Sequence, residues 1–227
     1  MPDKIKNLIF DCDGVLYPIS ALTTKEIIDA MKKVYREDLG IDGNEQNEIS
    51  QATVADNHRG LFNYVLEMCR YKNFSFDRFC EKMADNIDYS RILPNPLLWR
   101  NLQNIASGYN VAILSNNSRP HVAKVMKQLF GKNLSEIEQC NIRIFDISSS
   151  LYNKHFHPKQ SEDGLSIFCK RTNIIPCESM LFDDVPLNIE SAEKIGMHGT
   201  LICDENPLSG ALKPFLKNIT RREKNYE

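Results

Sequence analysis

The run Leu8-Ile9-Phe10-Asp11-Cys12-Asp13-Gly14-Val15-Leu16-Tyr17 describes a short buried strand that breaks into a polar turn. Consecutive apolar residues suit a strand covered on both faces, and two acids followed by glycine stop it and permit a tight change of direction. The same grammar recurs downstream. Val111-Ala112-Ile113-Leu114 stops at Ser115, Ile142-Arg143-Ile144-Phe145 at Asp146, and Met180-Leu181-Phe182 at Asp183-Asp184, while Thr200-Leu201-Ile202 follows Gly199. Between these runs, residues 119–130, 164–172 and 186–195 carry helical spacing. The last opens at Pro186, suited to a first helical turn, and closes at Gly196. Short apolar strands alternating with helices predict an α/β fold, a doubly wound parallel sheet with helices on both faces.

The interval from Asp11 to Ser115 breaks this rhythm. A strand–helix unit takes about 30 residues, which leaves roughly 75 in surplus. They read as helices over 24–39, 44–56, 61–71 and 76–86. In the first, Ile27, Ile28, Met31, Val34 and Tyr35 form an apolar stripe, while Lys25, Glu26, Lys32, Lys33 and Arg36 stay outside it. Pro94 and Pro96 mark the return to the sheet. Four helices in series can bury their stripes against one another. The expected organisation is therefore a core domain from residues 1–18 and 92–210, a helical domain inserted at 19–91, and a basic tail at 211–227. That tail, with Arg221, Arg222 and Lys224, is expected to be a solvated helix or a frayed end.

Composition excludes several classes. In 227 residues, 28 Lys and Arg against 30 Asp and Glu give a formal net charge of -2, with no polybasic footprint for a nucleic acid polymer. No apolar run approaches the roughly 18–20 residues of a membrane span, and the N-terminus enters a strand without a secretory signal. The seven cysteines are scattered and never spaced C-x-x-C, which argues against a zinc site or disulfide framework and for a reducing, cytoplasmic setting. Nothing in the sequence signals an oligomeric state.

Ligands of open parallel sheets sit beyond the carboxyl ends of the strands. Those ends carry Asp11 with Asp13, Ser115 with Asn116, and Asp183 with Asp184. Each alone is a strand stop or a helix cap. Together they gather acids, a hydroxyl and an amide at one edge, with a carboxylate pair at two strand ends.

Asp11-Cys12-Asp13-Gly14-Val15-Leu16-Tyr17 resembles the opening signature of the haloacid dehalogenase (HAD) superfamily. Leu114-Ser115-Asn116-Asn117 is similar to its second motif, and Phe182-Asp183-Asp184-Val185-Pro186-Leu187-Asn188-Ile189 to its acidic fourth motif in the Asp-Asp form. The resemblance implies a Rossmann-like HAD core with a four-helix, C1-type cap. Locally, residues 61–102 look most like pyrimidine 5'-nucleotidase-type members.

The resemblance implies a phosphoester hydrolase. Asp11 would be the nucleophile, forming an aspartyl-phosphate that splits one difficult displacement into two. Asp13 would protonate the leaving oxygen and then deprotonate the attacking water. Mg2+ would be held by Asp11, the Asp13 carbonyl and one of Asp183 or Asp184, with register favouring Asp184 as the direct ligand. Ser115 and the Asn116 amide would hold phosphate oxygens. The third motif normally places a lysine about six residues before an aromatic. Phe168 suits the aromatic, yet Glu162 stands where the lysine belongs. Lys159, within His157-Pro158-Lys159, is the first choice for that role and for phosphate binding, and Lys154 the second. Asn188 stands where many relatives carry another acid.

Other residues read as structural. His155 and His157 lack a third nitrogen or sulfur ligand nearby, no cysteine heads a C-x5-R motif, and the Asn218-Ile219-Thr220 sequon has no secretory route. Trp99, Phe62, Tyr64, Phe74, Phe76 and Phe79 are expected in the core, with one or two facing a substrate. The expected partner is a phosphorylated small molecule such as a nucleoside monophosphate, or a phosphotyrosine protein. A phosphosugar mutase is a more distant reading. A receiver domain or a non-catalytic phosphate binder shares much of the chemistry, but receivers lack the helical insertion.

Overall fold

The computed structural model describes residues 4–41 and 61–223, and the helix expected over 44–56 lies outside them. Along the chain, β1 (Asn7–Phe10) is followed by α1 (Thr24–Glu37), α2 (Leu61–Tyr71) and α3 (Phe76–Asp85), before α4 (Pro96–Ala106) leads into β2 (Asn110–Leu114). Next come α5 (Arg119–Phe130), α6 (Leu134–Glu138) and β3 (Ile142–Phe145). A small hairpin of β4 (Leu151–Tyr152) and β5 (His155–Phe156) precedes α7 (Glu162–Thr172). The chain then forms β6 (Ser179–Asp183), α8 (Pro186–Lys194), β7 (His198–Leu201), α9 (Leu208–Ala211) and α10 (Lys213–Glu223).

The sheet has the order β3-β2-β1-β6-β7, and every pairing in it is parallel. β1 is therefore central, and the strand order reverses beside it. Alternation along β1 divides the core between the two faces. Leu8 and Phe10 point to one side with Val111, Ile113 and Phe182; Ile9 points to the other with Ala112, Leu114 and Leu181, under Leu165, Phe168 and Ala192 of α7 and α8. Phe10 stacks on Phe182 with ring centroids 4.8 Å apart.

Helix α1 buries most of the stripe read from the sequence, with Ile28 half-buried. Ile27, Ala30, Met31, Val34 and Tyr35 of α1 are buried. Tyr35 meets Phe79 of α3 at 5.2 Å and Tyr64 of α2 at 5.8 Å. The inserted helices share one continuous apolar cluster with the adjoining face of the sheet. Asn95 caps α4 by accepting the Leu98 N–H at 2.9 Å, with Pro96 in the first turn.

The C-terminal segment differs from expectation. Instead of a solvated tail, α10 docks on the core through Phe215 and Ile219, with Leu212 just before it, all buried. Phe215 packs edge-on against Phe182 and Tyr109, with centroids at 6.0 Å and 5.5 Å. The cause is a stripe at positions i, i+3 and i+7, partly hidden in sequence by the basic residues around it.

Candidate active site

β1 delivers the first acids at the reversal of strand order, where a cleft opens beyond the strand ends. The Asp11 N–H donates to the Phe182 carbonyl at 2.9 Å, continuing the sheet one residue past the strand. The chain then turns at Gly14, whose φ is +83°. That φ favours glycine, and a Cβ at this position would lie 2.1 Å from Asp184 Oδ2 and displace its carboxylate. The turn brings Asp184, beyond the end of β6, against the loop after β1.

Lys159 lies in the same cluster. Its ammonium is buried, 2.6 Å from Asp11 Oδ1 and 2.7 Å from Asp183 Oδ2. It comes from the loop before α7, while Glu162 is the first residue of that helix. Two features bring the loop inward. The Lys159 N–H donates to Asn116 Oδ1 at 3.0 Å, and a Cβ on Gly164 would lie 2.1 Å from the Pro158 carbonyl oxygen. Lys154 stands exposed on the β4–β5 turn, where its carbonyl accepts from Arg70 at 2.9 Å.

Asp183 is wholly buried. Besides Lys159, it accepts the Val185 N–H at 3.0 Å and the Asn188 amide at 2.8 Å. Asp184 is less buried. Oxygen atoms of Asp11, Asp183 and Asp184 all lie within 4.8 Å of one another, a group able to hold a cation. Asn188 Oδ1 is buried without a hydrogen-bond partner among the described residues. These are hard oxygen donors, the set that suits a hard divalent cation.

Asp13 has its own shell, in which both carboxylate oxygens are filled. Oδ1 accepts from the Tyr17 hydroxyl and lies 2.8 Å from His121 Nε2; Oδ2 accepts from Asn117 Nδ2 at 2.8 Å and from the Ser115 hydroxyl at 3.3 Å. Asn116 does not face the acids with its side chain. Its Oδ1 takes the Lys159 N–H and its Nδ2 donates to Gln160 Oε1 at 2.8 Å, so Asn117 makes the contact to Asp13. His155 and Phe156 belong to the hairpin, which Asn63 of α2 clamps through paired hydrogen bonds of 2.6 and 2.8 Å to the Phe156 backbone.

A cavity of about 390 Å³ opens over Asp11, Asp13, Lys159 and Asp184. Ile19, Ile27, Leu61, Phe62, Ile147 and Phe156 make its apolar walls. Phe62 is thus the aromatic of the inserted helices that faces the site. The other aromatics named from the sequence pack against the core.

A model of the haloacid dehalogenase-like hydrolases matches residues 5–196. The chain belongs to this family. Solved HAD structures share its fold at low identity. A HAD family enzyme from Bacteroides thetaiotaomicron superposes with a TM-score of 0.52 at 19% identity, covering 88% of this chain and 94% of that one. A predicted HAD-like family hydrolase from Porphyromonas gingivalis gives 0.56 at 18% identity, covering 94% and 98%. A point mutant of CbbY from Rhodobacter sphaeroides, in complex with xylulose-(1,5)-bisphosphate, gives 0.54 at 14% identity, covering 91% of each chain. Among curated proteins none matches the chain significantly.

Charge in this HAD site is unbalanced. Among the described residues, Asp11, Asp183 and Asp184 face one buried ammonium, that of Lys159. Burial raises the Asp11 carboxyl, Lys159 opposes the rise, and repulsion from Asp183 and Asp13 adds to it, leaving it pushed up to about 8. Burial and the Asp183 charge also raise Asp184. Burial alone would lower Lys159, but Asp11 and Asp183 outweigh it and hold the ammonium charged. For Asp13, burial acts upward, yet His121, Tyr17 and Asn117 prevail and keep the carboxyl below the usual carboxylate range.

His121, Tyr17, Asn117 and Tyr89 were not among the site residues expected from sequence. One signal was available. His121 falls on the same helical face as the buried Val122, Val125, Met126 and Leu129, a polar ring in an apolar stripe six residues after Ser115.

Proposed function

We propose that this hydrolase is a magnesium-dependent phosphomonoesterase that turns over through a phosphoryl group carried on Asp11. The observation that carries the proposal is the Lys159 ammonium seated between Asp11 and Asp183 at the strand-order reversal, with Asp184 beside them. The arriving phosphate dianion raises the proton affinity of Asp13, which its donors otherwise hold as a carboxylate; Asp11 attacks phosphorus, and the bond to the leaving oxygen breaks as that oxygen takes the proton Asp13 has gained. Water then attacks the same phosphorus, returning a proton to Asp13 and releasing the Asp11 carboxylate. Lys159 neutralises the nucleophile's surroundings and the arriving phosphate, and Ser115 offers its hydroxyl to a phosphate oxygen. Asp11, the Asp13 carbonyl and Asp184 would hold Mg2+, with Asp183 saturated by its own donors and acting at one remove. When bound, the ion offsets the repulsion between carboxylates and phosphate and supplies Lewis acidity. The insertion over 19–91 acts in this reading as a cap on the core formed by 1–18 and 92–210. Seven free thiols suit a reducing compartment.

The cavity supports a small ester with one phosphate, its alcohol lying against Ile27, Phe62 and Phe156. A nucleoside monophosphate is the first candidate. The aromatic wall favours phosphotyrosine as the second.

The first test is hydrolysis of p-nitrophenyl phosphate, followed by nucleotides, sugar phosphates and phosphotyrosine peptides. Phosphate release is expected with MgCl2 and is lost on chelation. No magnesium-dependent release from any ester contradicts the proposal.

Metal binding also has a pH signature. An unfolded aspartate titrates near about 3.9, below the folded Asp11 value. Between the two, the folded chain binds more protons than the unfolded chain, so its stability falls as pH rises through that window. Mg2+ takes the place of the proton. The thermal shift produced by MgCl2 is therefore expected to grow from about pH 5 to about pH 8. A constant or shrinking shift counts against metal at these carboxylates.

A further inference from the structure

We infer that His121 is a positioning residue for the proton-transfer step. It fixes one oxygen of Asp13 so that the other meets the leaving group. The inference rests on the phosphatase reading above and extends it to a residue outside the motifs.

His121 is wholly buried in the first turn of α5. Its Nε2 lies 2.8 Å from Asp13 Oδ1, and its Nδ1 lies 3.1 Å from the Tyr89 hydroxyl. An imidazole that donates from Nε2 can accept at Nδ1, so the Tyr89 hydroxyl orients the ring whose proton holds Asp13. Tyr89 belongs to the segment between α3 and α4, which returns the chain from the inserted helices. The relay Tyr89–His121–Asp13 therefore joins that return segment to the acid.

The two oxygens of Asp13 have different kinds of partner. Tyr17 and His121, on Oδ1, have no other role in the proposed reaction. Ser115 and Asn117, on Oδ2, belong to the loop after β2, and Ser115 has a phosphate oxygen to hold once the ester arrives. Substrate thus draws Ser115 away from Oδ2, which keeps only the Asn117 amide, while Oδ1 stays anchored by two donors. Oδ2 then carries the proton to the leaving oxygen and recovers one from the attacking water.

A residue that only supports the fold lowers turnover of all esters alike. A residue that aims the general acid matters most for alcohols that leave poorly, because those need the proton. The readout is kcat/KM, which reports the first transfer, for phosphate esters ranging from 2,4-dinitrophenyl through phenyl to alkyl. The proteins compared are the wild type, Asp13→Asn, His121→Phe, which removes the donor, and His121→Gln, which restores one.

His121→Phe is expected to lose about tenfold or more on phenyl and alkyl esters. Its loss on the dinitrophenyl ester is within about threefold, so its trend approaches that of Asp13→Asn. His121→Gln recovers part of the loss. A uniform loss across the series, or none in a folded His121→Phe protein, overturns the assignment. If His121→Phe does not fold, Tyr89→Phe keeps the imidazole and frees its orientation. The same selective loss, smaller in size, supports the relay, and a uniform effect overturns it. Failure of the wild type on every ester overturns the phosphatase reading and this inference together, whereas wild-type turnover with a uniform variant effect removes only the role of His121.

Discussion

Asp11→Asn is expected to reduce ester hydrolysis by about 10⁴-fold or more while leaving the fold intact. An amide cannot displace an alcohol from phosphorus, and among the described residues no other carboxylate is placed to substitute. Asp183 is saturated by Lys159, Val185 and Asn188. Asp184 faces Gly14 across the turn, and Asp13 is bound through both its oxygens. The Asp11 carboxyl is pushed up to about 8, so a neutral side chain of the same shape costs the folded state little and relieves repulsion from Asp183 and Asp13. Melting without metal should occur at the same temperature or higher. Steady-state turnover and a thermal melt check both halves, and turnover within tenfold of wild type contradicts the role given to Asp11.

Lys159→Met is expected to impair both activity and stability, which separates it from Asp11→Asn. The ammonium is the shared partner of two buried carboxylates at 2.6 and 2.7 Å. Removing one member of a buried ionic group leaves the others uncompensated, at a cost of about 3–5 kcal/mol. Loss of a preorganised charge beside the transferring phosphate adds a fall of about 10²–10³-fold in kcat. Lys154→Met, on the exposed hairpin turn, is expected to change neither. Urea unfolding and turnover of the two variants side by side settle which lysine serves the site. Equal behaviour, or the larger loss at Lys154, contradicts the assignment to Lys159.

The strand ends were legible from sequence because each ends an apolar run in polar residues of limited choice. Asp11, Asp13, Ser115, Asp183 and Asp184 do converge, and α5 spans the residues its spacing predicted. Helical stripes in α1, α2 and α3 were legible for the same reason, since periodicity is a local property. What escaped was set by contacts distant in sequence. Lys159 was the first choice from sequence, but Glu162 occupies the lysine's usual spacing, and the contacts that bring Lys159 inward from an earlier loop, with Asn116 and between Pro158 and Gly164, leave no local pattern. Asn116 and Asn117 are adjacent and chemically identical, so no pattern tells which of them reaches Asp13. His121 contacts Asp13 across 108 positions, and a lone histidine in an apolar stripe ordinarily reads as a satisfied core residue. The docking of α10 was masked by charges on its outer face, although Leu212, Phe215 and Ile219 carried the spacing.

Locating the phosphoryl group tests the mechanism most directly. The protein is mixed with substrate and Mg2+, quenched in acid within one turnover, digested, and read by peptide mass spectrometry. One added phosphoryl group on the N-terminal peptide, fragmenting to Asp11, is the predicted result. An adduct on Asp13, Asp183, Asp184 or any histidine contradicts it, as does full turnover with no covalent adduct at any time point.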